Sequence, residues 1–171
     1  MKRFYWLDKL VKKEDFILGA EVGLKEGKTS GYLLENNPEL TMYCIDLWGK
    51  AIDNEFDTYS NWNMKSVRAQ CLSTLSKFGS RAIVFEEDSV KASNRILDGY
   101  LDFVFIDANH TEEGVTRDID AWMPKIRDGG ILSGHDTHFP SVLKVVKEKI
   151  PNFQDAPDHV WWIRIEGGKP C

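Results

Sequence analysis

Four acidic and imidazole side chains fall in two short segments that each follow an apolar run. Asp107 and His110 come after the run 101–106, and His135 and Asp136 close a second run soon afterwards. An imidazole titrates near neutral pH and can act as a general base, and carboxylates and imidazoles are also metal ligands. The two segments therefore predict proton transfer or a divalent-cation site, provided that the fold brings them together.

A second group of residues surrounds a glycine turn near the N-terminus. Glu21, Gly23 and Gly27 form the pattern ExGxxxG between the apolar run 16–22 and a helical pattern, and a later apolar run stops at Asp46. This order of strand, turn, helix, strand and acid is typical of a nucleotide-like ligand bound over the ends of parallel strands.

The spacing of the turn separates three classes of ligand. A phosphate loop would need a glycine where the sequence has Val22, although residues 27–29 match the end of that motif. A dinucleotide fingerprint would need a glycine where Lys25 stands. The remaining pattern suits a ligand without phosphate whose ribose diol is bound by Asp46. S-adenosylmethionine fits that description.

These motifs resemble those of class I S-adenosylmethionine-dependent methyltransferases. The resemblance covers roughly residues 16–136 and rests on the turn residues Glu21, Gly23, Gly27, Thr29 and Ser30, on DxxH at 107–110 and on GGxxxGHD at 129–136. It implies S-adenosylmethionine as cofactor and O-methylation of a small-molecule or sugar-like acceptor as the reaction.

The resemblance also implies which residues contact the cofactor. We expect Asp46 to take the ribose hydroxyls, Glu21 and the turn backbone to face the amino-acid end, and Asp88 with Ser89 to face the adenine. The full expected set is Glu21, Gly23, Gly27, Thr29, Ser30, Asp46, Leu47, Asp88, Ser89 and Asp107. Taken singly, these residues can equally be a helix-start glycine, a turn former and a helix cap.

Metal-dependent O-methyltransferases, which the sequence resembles here, hold Mg2+ at positions that correspond to Asp107, His135 and Asp136. Residue 135 is usually an acid or Asn, and histidine is a softer ligand that suits Zn, Fe, Ni or Mn. Either another divalent cation binds or His135 is a base and no metal binds. Asp136 could also simply cap the next helix, with His135 packed against it.

His110 stands where catechol-type relatives carry a lysine base. We therefore expect His110 to be the general base that deprotonates the acceptor, with Asp107 and His135 as the other catalytic residues.

The elements that must position these residues alternate along the chain. The pattern predicts a doubly wound, mostly parallel Rossmann-like α/β sheet of six to seven strands with helices on both faces. Strands are expected at 16–22, 41–47, 82–85, 101–106, 131–133 and 160–165, with a further short strand before the last, and helices at 2–14, 29–36, 64–78, 90–97, 112–126 and 140–150. Residues 127–130 should end the fifth helix.

Composition limits the remaining possibilities. The 171 residues suffice for one domain, and a net charge of -5 lacks the basic surface of a nucleic-acid binder. Three cysteines without CxxC spacing predict a reduced, cytoplasmic protein, and no apolar stretch is long enough for a membrane. A small-molecule acceptor is the expected partner, and a homodimer is compatible with this interpretation.

Residues 48–63 mix aromatic and acidic side chains without a regular period, which predicts an active-site loop. Two other functions remain open. A non-catalytic cofactor-binding module is one, because little else in the chain could recognise a substrate. A P-loop NTPase is the other, because GKTS at 27–30 and LDFVFID at 101–107 resemble parts of its motifs.

Overall fold

A computed structural model describes residues 1–49 and 63–170 as strands and helices that alternate along the chain. The strands are β1 (Leu18–Val22), β2 (Thr41–Ile45), β3 (Ala82–Phe85), β4 (Leu101–Ile106), β5 (Ile126–Gly134), β6 (Gln154–Ala156), β7 (Val160–Glu166) and β8 (Lys169–Pro170). The helices are α1 (Arg3–Lys13), α2 (Lys28–Asn36), α3 (Met64–Leu75), α4 (Ser89–Ser93), α5 (Glu112–Trp122) and α6 (Pro140–Lys149), with 3-10 segments at Ser76–Arg81 and Met123–Lys125.

The sheet has the strand order β3-β2-β1-β4-β5-β7-β6, and β8 pairs with β7 at one end of that strand. Strands β1 to β5 are parallel, whereas β7 runs antiparallel to both β5 and β6. The predicted doubly wound α/β fold is therefore confirmed. The expected short strand before the last long one is β6.

Strand β4 shows why the apolar runs are continuous. All six of its residues are buried, because helices cover both faces of the sheet. Val104 and Ile106 pack on the face that contains Trp122 of α5, while Phe103 and Phe105 pack on the face that contains α1, α2 and α3. The sheet consequently presents a rigid row of strand ends to the site.

The prediction that residues 127–130 end a helix was wrong. Helix α5 ends at Trp122, and β5 already begins at Ile126. The pairing of β5 with β4 shifts between Ile126 and Ile131, so the intervening residues form an irregularity within the strand. Gly129 has a φ of 76° there, which explains why glycines that resemble a helix stop occur inside a strand.

Among the described residues, no helix is long and apolar enough to cross a membrane. Most of the predicted active-site loop, residues 50–62, lies outside the described part of the chain. Its first two residues, Trp48 and Gly49, are described and line a cleft at the carboxyl ends of the parallel strands.

Candidate active site

The cleft has a volume of about 200 Å³ and lies where β1 pairs with β2 on one side and with β4 on the other. This position is the switch point of the sheet, where ligands of such folds bind. Six residues that the sequence predicted for the site line it, namely Gly23, Asp46, Leu47, Asp88, Ser89 and Asp107.

Gly23 allows the ends of β1 and β4 to approach each other. Its φ is 92°, and a Cβ atom at this position would lie 2.2 Å from the backbone oxygen of Asp107. The Asp107 N–H donates to the Val22 oxygen over 2.7 Å, which holds the two strand ends in contact. Any side chain at residue 23 would push Asp107 away from the cleft.

Asp46 shapes the glycine turn from the end of β2. One carboxylate oxygen accepts hydrogen bonds from the N–H groups of Leu24 and Lys25, at 2.9 and 2.8 Å, and the other accepts from Trp48 at 2.7 Å. Burial raises the pKa of Asp46, and these backbone hydrogen bonds oppose that rise. The carboxylate therefore holds the turn together and also faces the cleft.

Other predicted cofactor residues lie beneath the turn. Glu21 is 2% exposed, and its Oε2 atom accepts hydrogen bonds from both the N–H and the hydroxyl of Ser30. Burial raises the pKa of Glu21 to about 7. Thr29 is buried beside Ser30, and Gly27 packs against Cys71 of α3. These residues anchor α2 below the cleft and are outside its described lining.

The far end of the cleft is formed by β3, α4 and α5. Asp88 caps α4 by accepting from the N–H groups of Val90 and Lys91, at 3.1 and 3.2 Å. The Ser89 hydroxyl accepts from Trp122 Nε1 at 2.8 Å. Asp118 of α5 also lines this end, although the sequence prediction did not include it.

The side that leads out of β4 and β5 carries the acid and imidazole groups. His110 Nε2 lies 2.7 Å from Asp136 Oδ2, and both residues are 8% exposed. The pKa of Asp136, which burial alone would raise, is held far below its usual range by hydrogen bonds from His110 and His135. Asp136 is thus a permanent carboxylate that orients the His110 ring.

Ligand atoms of Asp107, His110 and Asp136 all lie within 4.8 Å of one another. The two segments that the sequence singled out are therefore brought together. The predicted metal set contained His135, whereas the group with this spacing in the structure contains His110.

His135 contacts two members of that group. Its Nδ1 atom lies 2.8 Å from Asp136 Oδ1 and 3.5 Å from Asp107 Oδ1, and its buried Nε2 atom, 3.9 Å from Asp158 Oδ2, has no hydrogen-bond partner among the described residues. Burial alone would lower the pKa of His135, but hydrogen bonds to Asp107 and Asp136 raise it to about 9. A protonated imidazole donates hydrogen bonds to both carboxylates, and the roles predicted for His135 as a metal ligand or a base stay predictions.

Arg3 completes the surroundings of Asp107. Its Nη2 atom lies 3.0 Å from Asp107 Oδ2, and its backbone N–H donates to Asp158 Oδ2 at 2.9 Å. The sequence prediction missed Arg3, and no motif marks it, because only the packing of α1 across the sheet places it there.

The charges that line the described part of the cleft are mostly negative. Five acids, Asp46, Glu87, Asp88, Asp107 and Asp118, face two basic residues, Lys25 and Arg117. Such a lining favours a ligand that carries positive charge near Asp107 and Asp46.

A family model described as a methyltransferase domain matches residues 20–137, which span both the glycine turn and the acid–imidazole group. The chain belongs to this methyltransferase family. No curated protein matches the chain significantly in sequence.

Solved structures share the fold of this methyltransferase. A candidate caffeoyl-CoA O-methyltransferase from Staphylococcus aureus has a TM-score of 0.68 at 16% identity and covers 98% of this chain and 85% of its own. A candidate O-methyltransferase from Klebsiella pneumoniae has a TM-score of 0.70 at 12% identity, with 96% and 80% covered. The cofactor-bound protein Rv0187 from MTB has a TM-score of 0.68 at 13% identity, and the match covers 94% of this chain and 78% of that protein's chain.

Membership of a methyltransferase family implies S-adenosylmethionine as the methyl donor. It also removes the main support for the P-loop NTPase alternative. The phosphate-loop lysine, Lys28, pairs with Glu26 instead of lining the described cleft, and Ser30 is bonded to the buried Glu21.

Proposed function

We propose that this methyltransferase transfers the methyl group of S-adenosylmethionine to a hydroxyl of a small-molecule or sugar-like acceptor. The observation that carries the proposal is the position of the Asp107, His110 and Asp136 group directly beside a cleft at the switch point of the sheet. An acceptor held at that group would lie next to a donor held over Gly23.

The cleft residues fit the methyl donor. Asp46 lines the middle of the cleft, and its carboxylate can accept from a ribose hydroxyl in addition to the backbone N–H groups that it already binds. The acidic lining suits a sulfonium cation, and Lys25 offers a positive charge for the carboxylate of the amino-acid end. Glu21 and Ser30 support the turn from below.

When bound, S-adenosylmethionine supplies an electrophilic methyl group that needs no covalent help from the protein. The protein must align the acceptor and remove its proton. Asp136 fixes the His110 ring through Nε2, so that the proton-accepting lone pair is on Nδ1 when Asp136 accepts the Nε2 proton. His110 is therefore proposed as the general base.

A divalent cation is the alternative use of the same residues. Two carboxylates and one imidazole form a mixed donor set that suits Mn, Fe or Zn as well as Mg2+. A cation there would compete with Arg3 for Asp107, and it would make His110 a ligand instead of a base. Removal of divalent cations with EDTA separates these roles.

The first prediction concerns the methyl-donor site. Wild-type protein should bind S-adenosylhomocysteine in calorimetry, and Asp46→Ala should weaken binding at least about tenfold, because the ribose partner and the turn support are both lost. The matched control is Asp98→Ala, since Asp98 is an exposed acid that pairs with Lys125 away from the cleft. Wild type that ignores the ligand, or Asp46→Ala that binds it equally well, contradicts the assignment.

The second prediction concerns His110. With an acceptor drawn from a panel of catechols and sugars, His110→Ala should lower kcat by about a hundredfold to ten-thousandfold and leave the affinity for S-adenosylhomocysteine unchanged. The acid limb of the wild-type rate profile should disappear in the variant. His159→Asn is the control, because His159 is exposed and asparagine tolerates its φ of 59°.

EDTA distinguishes the two roles of His110. Full activity after dialysis against EDTA eliminates a catalytic metal and leaves the base role. Loss of activity that is restored by Mn2+ or Mg2+ shows that a divalent cation is required and favours the metal-ligand role of this group. If S-adenosylhomocysteine binds but no acceptor in the panel is methylated, the non-catalytic binding module becomes the better interpretation.

A further inference from the structure

Helix α5 presents one carboxylate to the cleft from an otherwise apolar inner face. Asp118 is 5% exposed and lies between the buried residues Val115 and Trp122, and it lines the end of the cleft that is formed with α4. A buried acid normally pairs with a base or donor. The contacts of Asp118 within the protein leave part of its hydrogen-bond acceptor capacity unused.

Ser89 of α4 lies between Asp118 and Trp122. Trp122 Nε1 donates to the Ser89 hydroxyl at 2.8 Å, and the Ser89 hydroxyl is the neighbour that offsets part of the effect of burial on the pKa of Asp118. The Ser89 side chain is thus engaged by the protein at this end of the cleft.

Asp88, the other predicted adenine partner, is also engaged by the protein. One of its oxygens accepts two N–H groups at the start of α4, and the other lies 3.4 Å from Arg117 Nη2. Among the described residues, the Ser89 hydroxyl is the one side-chain donor that acts on the Asp118 carboxylate, and a carboxylate has about four acceptor positions. Glu87 also lines this end but pairs with Arg95 at 2.8 Å, so that Asp118 is, among the described acids here, the buried one without an ion pair.

Burial raises the pKa of Asp118 to about 6, which leaves the group mostly ionised at neutral pH. An ionised carboxylate only accepts hydrogen bonds. It can satisfy an exocyclic amine, whereas it opposes a carbonyl oxygen at the same position. The carboxylate therefore attracts a base with an amine at this position and repels a base with an oxo group there, in addition to any difference in shape.

We propose that Asp118 reads the exocyclic amine of the adenine ring and thereby sets the base specificity of the methyl-donor site. The inference rests on the proposed function, because it concerns the same cleft. It assigns adenine selectivity to α5, while the Asp88 and Ser89 side chains act as positioning groups for α4 and for Asp118.

The test compares two ligands that differ at that ring position and in the proton that the oxo form carries on the neighbouring N1. S-adenosylhomocysteine carries the amine, and S-inosylhomocysteine carries an oxo group instead. Calorimetry on the full chain at neutral pH should show wild type binding the adenine compound at least about tenfold more tightly. In Asp118→Asn the side-chain amide can donate to the oxo group, so the ratio should fall below about threefold or invert.

Asp120→Asn is the matched control on the same helix. Asp120 makes an ion pair with Lys149 on the outer face of α5, and its side chain is 60% exposed, so this variant should keep the wild-type ratio. Circular dichroism should show that both variants are folded. Because the readout is a ratio of two affinities in one protein, a general loss of binding does not imitate the expected result.

Each outcome has a defined meaning. An unchanged ratio in Asp118→Asn, or equal binding of the two ligands by wild type, overturns the role of Asp118 and leaves the proposed function standing. Wild type that binds neither ligand overturns the methyl-donor assignment itself. A ratio that collapses in Asp118→Asn but not in Asp120→Asn supports the inference.

Discussion

Burial and hydrogen bonding give similar side chains in this site opposite protonation behaviour. Glu21 is buried below the turn, which raises its pKa to about 7. The pKa of Asp136, in contrast, is held far below its usual range by hydrogen bonds from two imidazoles. Hydrogen bonds to Asp107 and Asp136 raise the pKa of His135 to about 9, against the effect of burial. Each group therefore has a separate role near neutral pH.

Glu21 predicts a pH dependence of stability. An acid whose pKa is higher in the folded state binds more protons there than in the unfolded state, so the unfolding free energy falls as the pH rises from about 4.5 to about 7. Glu21→Gln mimics the protonated form at every pH. The variant should gain stability over wild type by up to a few kcal/mol across this window.

The measurement is denaturant unfolding of both proteins from pH 4 to pH 8. Taking the difference between the two curves cancels other groups with shifted pKa values, such as Asp118 and His135. If the difference does not change with pH, the pKa of Glu21 is not raised in the folded protein, and the prediction is wrong.

At the scale of elements, the contact between α2 and α3 determines how the glycine turn is held. Gly27 precedes α2 with a φ of 72°, and a Cβ atom there would lie 2.7 Å from Cys71 Sγ. Gly79 has a φ of 57°, but a Cβ atom there would meet nothing within 4 Å. Both glycines have a positive φ, but only Gly27 has a neighbouring atom that a side chain would contact too closely.

We expect Gly27→Ala to destabilise the protein by about 1–3 kcal/mol more than Gly79→Ala, because only residue 27 adds a steric conflict to the backbone strain. Unfolding free energies of both variants provide the comparison. In a Cys71→Ala background, most of the extra cost of Gly27→Ala should vanish, since the conflicting sulfur is gone. If the two variants lose the same unfolding free energy, α3 moves to accommodate the new methyl group at no measurable loss of stability.

At the scale of the whole molecule, the cleft is shared between two halves of the sheet. One wall comes from the ends of β1, β2 and β3, and the other comes from β4 and α5, with the proton-transfer group following β4 and β5. Helix α1 adds Arg3 from the start of the chain to Asp107. The homodimer, the cytoplasmic location and the absence of nucleic-acid partners stay predictions.

Much of the fold followed from local pattern. The bounds of β3 and β4 agree with the sequence prediction, because each is an apolar run that stops abruptly at polar residues. Thr111 caps α5, since its hydroxyl accepts from the Gly114 N–H at 3.0 Å. The strand ends then place Asp46, Asp107 and Asp136 on one edge of the sheet.

The tertiary structure alone decided which of these side chains meet. Periodicity tells which face of an element is buried, but partners on different elements depend on the crossing of helices over the sheet. That packing sends Glu21 to Ser30, brings Arg3 to Asp107, and pairs Asp136 with His110 on one side and His135 on the other. Asp118 is the one polar residue among the buried residues of α5, which the sequence pattern could have shown. Only the structure shows that this residue lines the cleft.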